Sequence, residues 1–573
     1  MCDAAPQPAD PNGGKKQRWR RDQKPAAPRQ PPAKGYADVG ARSKLPSPSV
    51  PVPLSDEQVQ QFIVEGFLEL PPEDDGELHD SIFKQAVAFG RRAEELGNNV
   101  LPAIPDLVHV YESPRVRGAI ESLLGPCYLL HPHRYCHTSE RPAPQTWHRD
   151  SFWGHWHPRN ACMYWIMALY FPQDTPLELG PTEIMPRSQW YNKDEKSDRG
   201  PYYGCARFND REAESGVPAV NWHVHARPLC CSAGTVVLMH YDLWHRGGAN
   251  ISDGIRYMFK FQFSRMLSPA LAPRLRSAPG EAIVWEKFFQ EDVDAPARMQ
   301  PVWQGVWDWL HGASEVPSQE DAEDAKVLLS DLLEGHGQDA FDPVRVAAAW
   351  KLARLCRARP PMLSKVLAAL DQLLHLRGRN VMHVLDMLGP VAVPLLLEKP
   401  AVRQSADAVH GLGRCLDLAD LDGGEAGAKA LQALEEVLKG AKDPLVRICA
   451  AEALGCLRLQ DTAWPLQQAV AEDTVGAVRA TALHALIRLL TSGSLVEDSC
   501  LQALRATAQA VKPKDPDRYV RAYAAELCHR IDIVQQLAWD APGANAAAMV
   551  ESNRNAHIPP LVRWCTCGDG WHP

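Results

Sequence analysis

The sequence predicts a multidomain chain: an antiparallel β-sandwich or small barrel with flanking helices, followed by an all-α solenoid. Three observations point there. Between residues 128 and 265, short apolar or alternating runs are broken by Gly and Pro, the signature of period-two strands joined by turns. From about residue 318, Val-Arg dipeptides recur, each opening an Ala/Leu-rich helical stretch. At 573 residues the chain exceeds the ~100–200 residues usual for one domain several-fold.

The first segment, 1–52, is Pro-rich and basic and carries almost no large apolar side chain before Leu45. It cannot bury enough surface to offset the entropy of ordering, so it is read as a disordered, solvated arm. The net charge of −9 hides an asymmetry: residues 1–50 hold ten Lys/Arg against four Asp/Glu, which leaves −15 on the remainder. An acidic body gives no reason to expect a nucleic-acid partner. No apolar run reaches the ~18 residues of a membrane-spanning helix, and the N-terminus lacks the order of a secretory signal. A cytoplasmic or nuclear setting is the default, in which the fifteen cysteines are reduced thiols rather than a disulfide framework.

Order is expected to begin at Leu54-Ser55-Asp56-Glu57. Ser55 is a helix N-cap, with Val59, Phe62 and Ile63 at helical spacing behind it. Phe67–Leu70 reads as a short strand closed by Pro71-Pro72. Further strands are expected within Met163–Phe171, Thr182–Met185, Thr235–His240 and Arg256–Phe263. The last alternates fully, with Tyr257, Phe259, Phe261 and Phe263 on one face and Arg256, Met258, Lys260 and Gln262 on the other. Residues 53–312 thus form one domain. It ends in a Trp303/Trp307/Trp309 cluster whose spacing suits packing between domains, against the helical repeats.

The chemistry sits in this β region. In Trp147-His148-Arg149-Asp150, residues two apart on a strand project together, so His148 and Asp150 can offer an imidazole and a carboxylate to one metal. His245 is the preferred third ligand, 97 residues on at the end of an apolar run; His240 is the alternative within that run. Two His and one carboxylate on one face of Fe(II) leave positions for a 2-oxo acid and dioxygen. Arg256, eleven residues after His245, can hold the distal carboxylate of 2-oxoglutarate through its planar fork. Other clusters lack a matched carboxylate and Arg: His155/His157, His223/His225, and Cys565-x-Cys567 with His557 and His572. Vicinal Cys230 and Cys231 read as buried strand-edge thiols.

This constellation resembles the phytanoyl-CoA dioxygenase family of double-stranded β-helix (jelly-roll) oxygenases. Leu54–Val59 with Glu65-Gly66-Phe67-Leu68-Glu69-Leu70-Pro71 is similar to the family's first helix and strand, and Gly180–Pro186 to its central segment. The resemblance spans roughly residues 53–265. It implies that His148, Asp150 and His245 ligate Fe(II), that Arg256 anchors 2-oxoglutarate, and that Trp165 lies near the cosubstrate. It departs from the family at Gly247, where a hydroxyl residue is common, and at Pro186-Arg187-Ser188-Gln189. Residues 191–229 look like an insertion.

The second architecture, 318–540, is similar to HEAT repeats. Val344-Arg345, Val402-Arg403, Val446-Arg447, Val478-Arg479 and Val520-Arg521 each open a helix, and Asp-Pro marks helix starts at 342–343, 443–444 and 515–516. One further unit is expected around Val381–Leu397. Residues 541–573 form a tail. The expected function is an Fe(II)- and 2-oxoglutarate-dependent dioxygenase that hydroxylates a small-molecule or lipid-like substrate, with the repeats as an interaction surface that recruits a protein partner or controls oligomerisation. The alternative is a repeat scaffold whose oxygenase-like domain only binds a metabolite or acts on that partner.

Overall fold

In the computed structural model, the described residues are 50–540 except 74–75, 91–99, 151–161, 191–206, 209–225, 272–273, 275–283, 289–295, 313–324, 334–342, 375–384, 386–387, 418–423 and 496. The basic arm, most of the 191–229 segment, the two HxH pairs and the C-terminal Cys-x-Cys lie outside them.

The helix Asp56–Glu65 starts where Ser55 accepts a hydrogen bond from Gln58 N while the Gln58 side chain accepts one from Ser55 N, a reciprocal cap. Gly66, at φ 80°, ends it. Eleven strands follow among the described residues: β1 (Phe67–Leu70), β2 (Tyr128–Leu130), β3 (Tyr135–Ser139), β4 (Trp147–His148), β5 (Trp165–Tyr170), β6 (Thr182–Ile184), β7 (Arg207–Phe208), β8 (Arg227–Pro228), β9 (Val236–His240), β10 (His245–Gly247) and β11 (Arg256–Arg265). They form two antiparallel sheets. One runs β1-β9-β5-β11-β2 with β3 also on β11; the other runs β7-β4-β10-β6-β8. From β4 to β6, and again from β8 to β11, the chain alternates between the sheets. The aromatic face of β11 packs outward: Tyr111 lies 5.2 Å from Phe261, and Phe83 5.9 Å from Tyr257. The other face, Arg256 to Ser264, looks into the space between the sheets.

The C-terminal half is helical and solenoid-like, in two rows. One row contains Ala406–Asp417, Pro444–Leu457, Gly476–Thr491 and Arg518–Asp540, each against the next; the other contains Glu425–Gly440, Ala463–Glu472 and Asp498–Val511. Glycine sets the close approach in the first row. A Cβ on Gly413 would meet that of Ala453 at 2.9 Å, and one on Gly455 that of Ala485 at 2.8 Å. The Val-Arg pattern acquires a physical meaning here. Arg447 grips both carboxylate oxygens of Asp473 (2.7 and 3.1 Å) and donates to Ala441 O; Arg479 grips Asp515 (2.8 and 2.7 Å) and donates to Asp473 O; Arg521 donates to Asp515 O. Each Arg thus clamps its own preceding loop, and Arg447 and Arg479 also reach the next unit. Arg479→Ala is expected to cost about 3 kcal/mol by leaving buried Asp515 without its fork, read as a lower denaturation midpoint; a change below about 0.5 kcal/mol would show the ladder to be incidental.

The first row does not face solvent; it packs on the β domain. The Arg414 guanidinium lies 4.0 Å from the Tyr164 ring, Ser268 Oγ faces Asp417 O, and Arg530 reaches Tyr128 O. The Tyr519 hydroxyl lies 3.0 Å from His133 Nδ1. Trp303, Trp307 and Trp309, on the helix Pro296–Leu310, are buried; Trp309 meets Tyr164, and Gly305 on the same helix abuts Trp350. No described helix is long and apolar enough to cross a membrane.

Candidate metal centre and active site

β4 and β10 pair with His148 directly opposite His245. The sequence on each strand is Trp-His-Arg, and the antiparallel register sets Trp147 across from Arg246 and Arg149 across from Trp244. Both cross-strand pairs stack: the Arg246 guanidinium lies 4.4 Å from the Trp147 ring and that of Arg149 4.9 Å from the Trp244 ring. These two cation–π pairs, on the face away from the interior, pin the register. The alternate residues, His148 and His245, are thereby held side by side on the inner face, ring centroids 4.6 Å apart.

Each ring is oriented by its other nitrogen. His148 Nδ1 lies 2.9 Å from Thr146 O and His245 Nδ1 3.0 Å from Leu243 O. A carbonyl only accepts, so the proton sits on Nδ1 and the Nε2 lone pair points inward. Asp150 Oδ1 lies 4.0 Å from His148 Nε2 and 3.8 Å from His245 Nε2, and one ligand atom from each of the three fits within a 4.8 Å span. The buried Nε2 of His245 has no hydrogen-bond partner, as expected of an atom kept for a metal. Two neutral imidazole nitrogens and one carboxylate oxygen form a donor set suited to Fe(II). Burial and the neighbouring His148 lower the pKa of His245 to about 3, so its ring stays neutral and able to ligate.

The other oxygen of Asp150 is taken. Lys260, on the inner face of β11, brings its ammonium to 2.6 Å from Oδ2, with both side chains buried. Burial alone would raise the Asp150 pKa, but Lys260, His245 and His148 reverse this and hold it well below the ordinary carboxylate range. The contact leaves Oδ1 toward the imidazoles. Nothing in the motif predicts Lys260; the available signal is its position four residues after Arg256 on the same face of a period-two strand.

Arg256 is buried at the start of β11 and donates to Gly180 O at 2.9 Å, with Thr182 Oγ1 at 3.4 Å. Thr182 pairs with Gly247 across β6 and β10. The hydroxyl absent at 247 is therefore present beside Arg256 on the adjacent strand. A Cβ at Gly247 would meet Gln145 Oε1 at 3.1 Å, so Gln145 occupies the space a larger residue would need. His240 stands apart from the cluster, its Nδ1 accepting from Asp242 N. Cys231 is buried and its pKa is pushed up to about 12 by burial, whereas Cys230 is exposed, contrary to the expectation of two buried thiols.

Trp165 is not brought to Arg256. It pairs with Ser264, eight residues along β11, which at ~3.4 Å per residue is about 27 Å from Arg256. Its ring instead contacts His131 (4.8 Å) and Tyr241 (5.4 Å), where Tyr519 and Tyr523 of the last helix also approach His131. Strand register sets this separation from Arg256: β5 begins at the far end of β11.

Residues 65–258 match the family model for phytanoyl-CoA dioxygenase (PhyH). The chain carries a PhyH family domain. That domain contains β1, β4, β6, β10 and the first residues of β11, and with them His148, Asp150, His245 and Arg256. Similar solved structures include HygX from Streptomyces hygroscopicus with nickel and 2-oxoglutarate bound, at 16% identity over 37% of this chain and 86% of that one, TM-score 0.27. Others are the epimerase SnoN in complex with Fe3+, alpha ketoglutarate and nogalamycin RO (16% identity, 41% and 93% covered, TM-score 0.28) and the non-heme alpha ketoglutarate dependent carbocyclase SnoK from nogalamycin biosynthesis (18%, 41% and 97%, TM-score 0.28). No curated protein matches the chain.

Proposed function

We propose that this protein is an Fe(II)- and 2-oxoglutarate-dependent oxygenase that hydroxylates an organic substrate on a double-stranded β-helix. The observation that carries the reading is the convergence of His148 Nε2, His245 Nε2 and Asp150 Oδ1, each oriented by a partner on its other donor or acceptor atom. These three atoms would hold the metal. Bound there with 2-oxoglutarate, Fe(II) supplies the oxidising power for C–H hydroxylation by dioxygen, with succinate and carbon dioxide as coproducts.

The protein's own part is orientation and exclusion of water. Arg256, which donates to Gly180 O, would pair its guanidinium with the distal carboxylate of the cosubstrate, and the Thr182 hydroxyl stands beside it as a further donor. The buried inner faces of β5 and β9, through Met167, Leu169, Val237 and Met239, keep the interior dry. Trp165, by its position, belongs to the substrate end of this interior rather than the cosubstrate end.

We read the helical rows as HEAT-like. Their first row is engaged with the β domain, so a protein partner would take the second row, where Trp464 is 63% exposed. The protein would act in the cytoplasm or nucleus.

The test is anaerobic binding of Fe(II) and 2-oxoglutarate, followed by succinate formation on admitting oxygen. Wild type is expected to show a metal-to-cosubstrate charge-transfer band and slow uncoupled succinate release. His148→Ala is expected to lose both, with metal affinity down by more than about 100-fold. Succinate release unaltered in His148→Ala would reject the assignment. A wild type that binds 2-oxoglutarate but never turns it over would favour the metabolite-binding scaffold.

A further inference from the structure

Lys260 is 6% exposed, and among the described residues Asp150 is its one hydrogen-bond partner, at 2.6 Å. An ammonium has three N–H donors, so two are left for a ligand. With the oxygenase site loaded, the two positive charges of Fe(II) and the guanidinium of Arg256 are cancelled by the 2-oxoglutarate dianion and the Asp150 carboxylate. Lys260 is left over. A buried ammonium without net counter-charge is costly, and an anion of the ligand removes that cost.

A second positive charge lies at the surface beside His133. Arg518, the exposed first residue of the helix Arg518–Asp540, donates to the Tyr519 hydroxyl at 2.9 Å, and that hydroxyl meets buried His133. His133 and His137 add no charge of their own, because burial and Lys260 push both far below the ordinary imidazole range. Lys260, Arg256 and Arg518 bear on these two rings as cations, and Asp150 opposes them as a carboxylate. Trp165, His131 and Tyr241 supply aromatic surface for the rest of a molecule.

We propose that the organic substrate carries an anionic group, a carboxylate or a phosphate, received by Lys260 and drawn in by Arg518 of the helical half. This deepens the oxygenase reading and rests on it. It also gives the helical half a part in the site: its last helix forms a wall of the substrate entrance.

The full-length protein, loaded with Ni(II) in place of iron and N-oxalylglycine in place of 2-oxoglutarate, is inert and holds both positions filled. Calorimetric titration then compares hexanoate and hexyl phosphate with uncharged hexanamide. At least one anion is expected to bind about tenfold or more tightly than the amide, and the better one identifies the group. Lys260→Met is expected to erase the preference and Lys260→Arg to retain it, which separates lost charge from lost folding. Arg518→Ala, at an exposed position, is expected to weaken anion binding and flatten its salt dependence. Equal affinity for amide and anions, no anion binding, or a preference that survives Lys260→Met would each overturn the inference. Metal uptake is read first, so a protein that takes up no Ni(II) rejects the iron reading separately from the anion preference.

Discussion

Asp150→Ala is expected to abolish succinate formation and, in the metal-free protein, to lower stability at the same time. The first effect follows from losing one of three ligand atoms. The second follows from Lys260, which would be left buried without its counter-charge; removing one partner of a buried pair costs roughly 3–5 kcal/mol, or a fall in melting temperature on the order of 10 °C. The two effects come apart in a double variant. Asp150→Ala/Lys260→Met removes both charges and should recover most of the stability, while activity and Fe(II) affinity stay lost. Melting curves of the metal-free proteins, with calorimetric Fe(II) titrations, check both limbs. Recovery of metal binding in the double variant would show that Asp150 is a structural ion-pair partner and no ligand.

Acid is expected to loosen the junction between the β domain and the helical half through Asp417. This carboxylate is 1% exposed and sits among three guanidiniums: Arg488, Arg414 at 2.8 Å and Arg458 at 3.8 Å. Burial would raise its pKa, but the three cations outweigh burial and lower it to about 2. A depressed pKa stabilises the fold only while the group is charged. The contribution is complete above the unfolded value near ~4, and it disappears as pH falls through about 2. Its size is on the order of 2 kcal/mol. At neutral pH, Asp417→Asn leaves three mutually repelling cations around a neutral amide and should cost at least that much. Wild type and variant should then converge between pH ~4 and ~2. Unfolding midpoints across this range test it. A gap independent of pH would mean that packing, rather than charge, explains the loss.

Much of the candidate site was legible because its signals are local. Trp-His-Arg-Asp places two donors on one face by strand periodicity alone. The alternation from Arg256 to Phe263 identified β11 and its polar face, and the Ser55 cap marked the start of the helix Asp56–Glu65. The Val-Arg spacing announced repeating helices, although not the ladder from Arg447 through Asp473, Arg479 and Asp515 that explains it.

What stayed hidden depends on neighbours distant in sequence. Lys260 and Asp150 are 110 residues apart, and no pattern around either encodes their pairing. For Trp165, a strand's period tells which face the residue takes, while only register against β11 sets it eight residues along from Arg256. Nothing in the repeat pattern ties the helical half to the β domain, yet Tyr519 reaches His133 across 386 residues.

By itself, then, the sequence determined the strand and helix patterns and nominated the donor set of His148, Asp150 and His245, since backbone periodicity and side-chain chemistry are properties of short segments. Tertiary structure alone decided which oxygen of Asp150 faces the imidazoles, which residue balances its charge and which helix packs against His131 and His133. Those depend on burial and on pairing between remote segments, where the low-dielectric interior turns a chance proximity into a strong interaction.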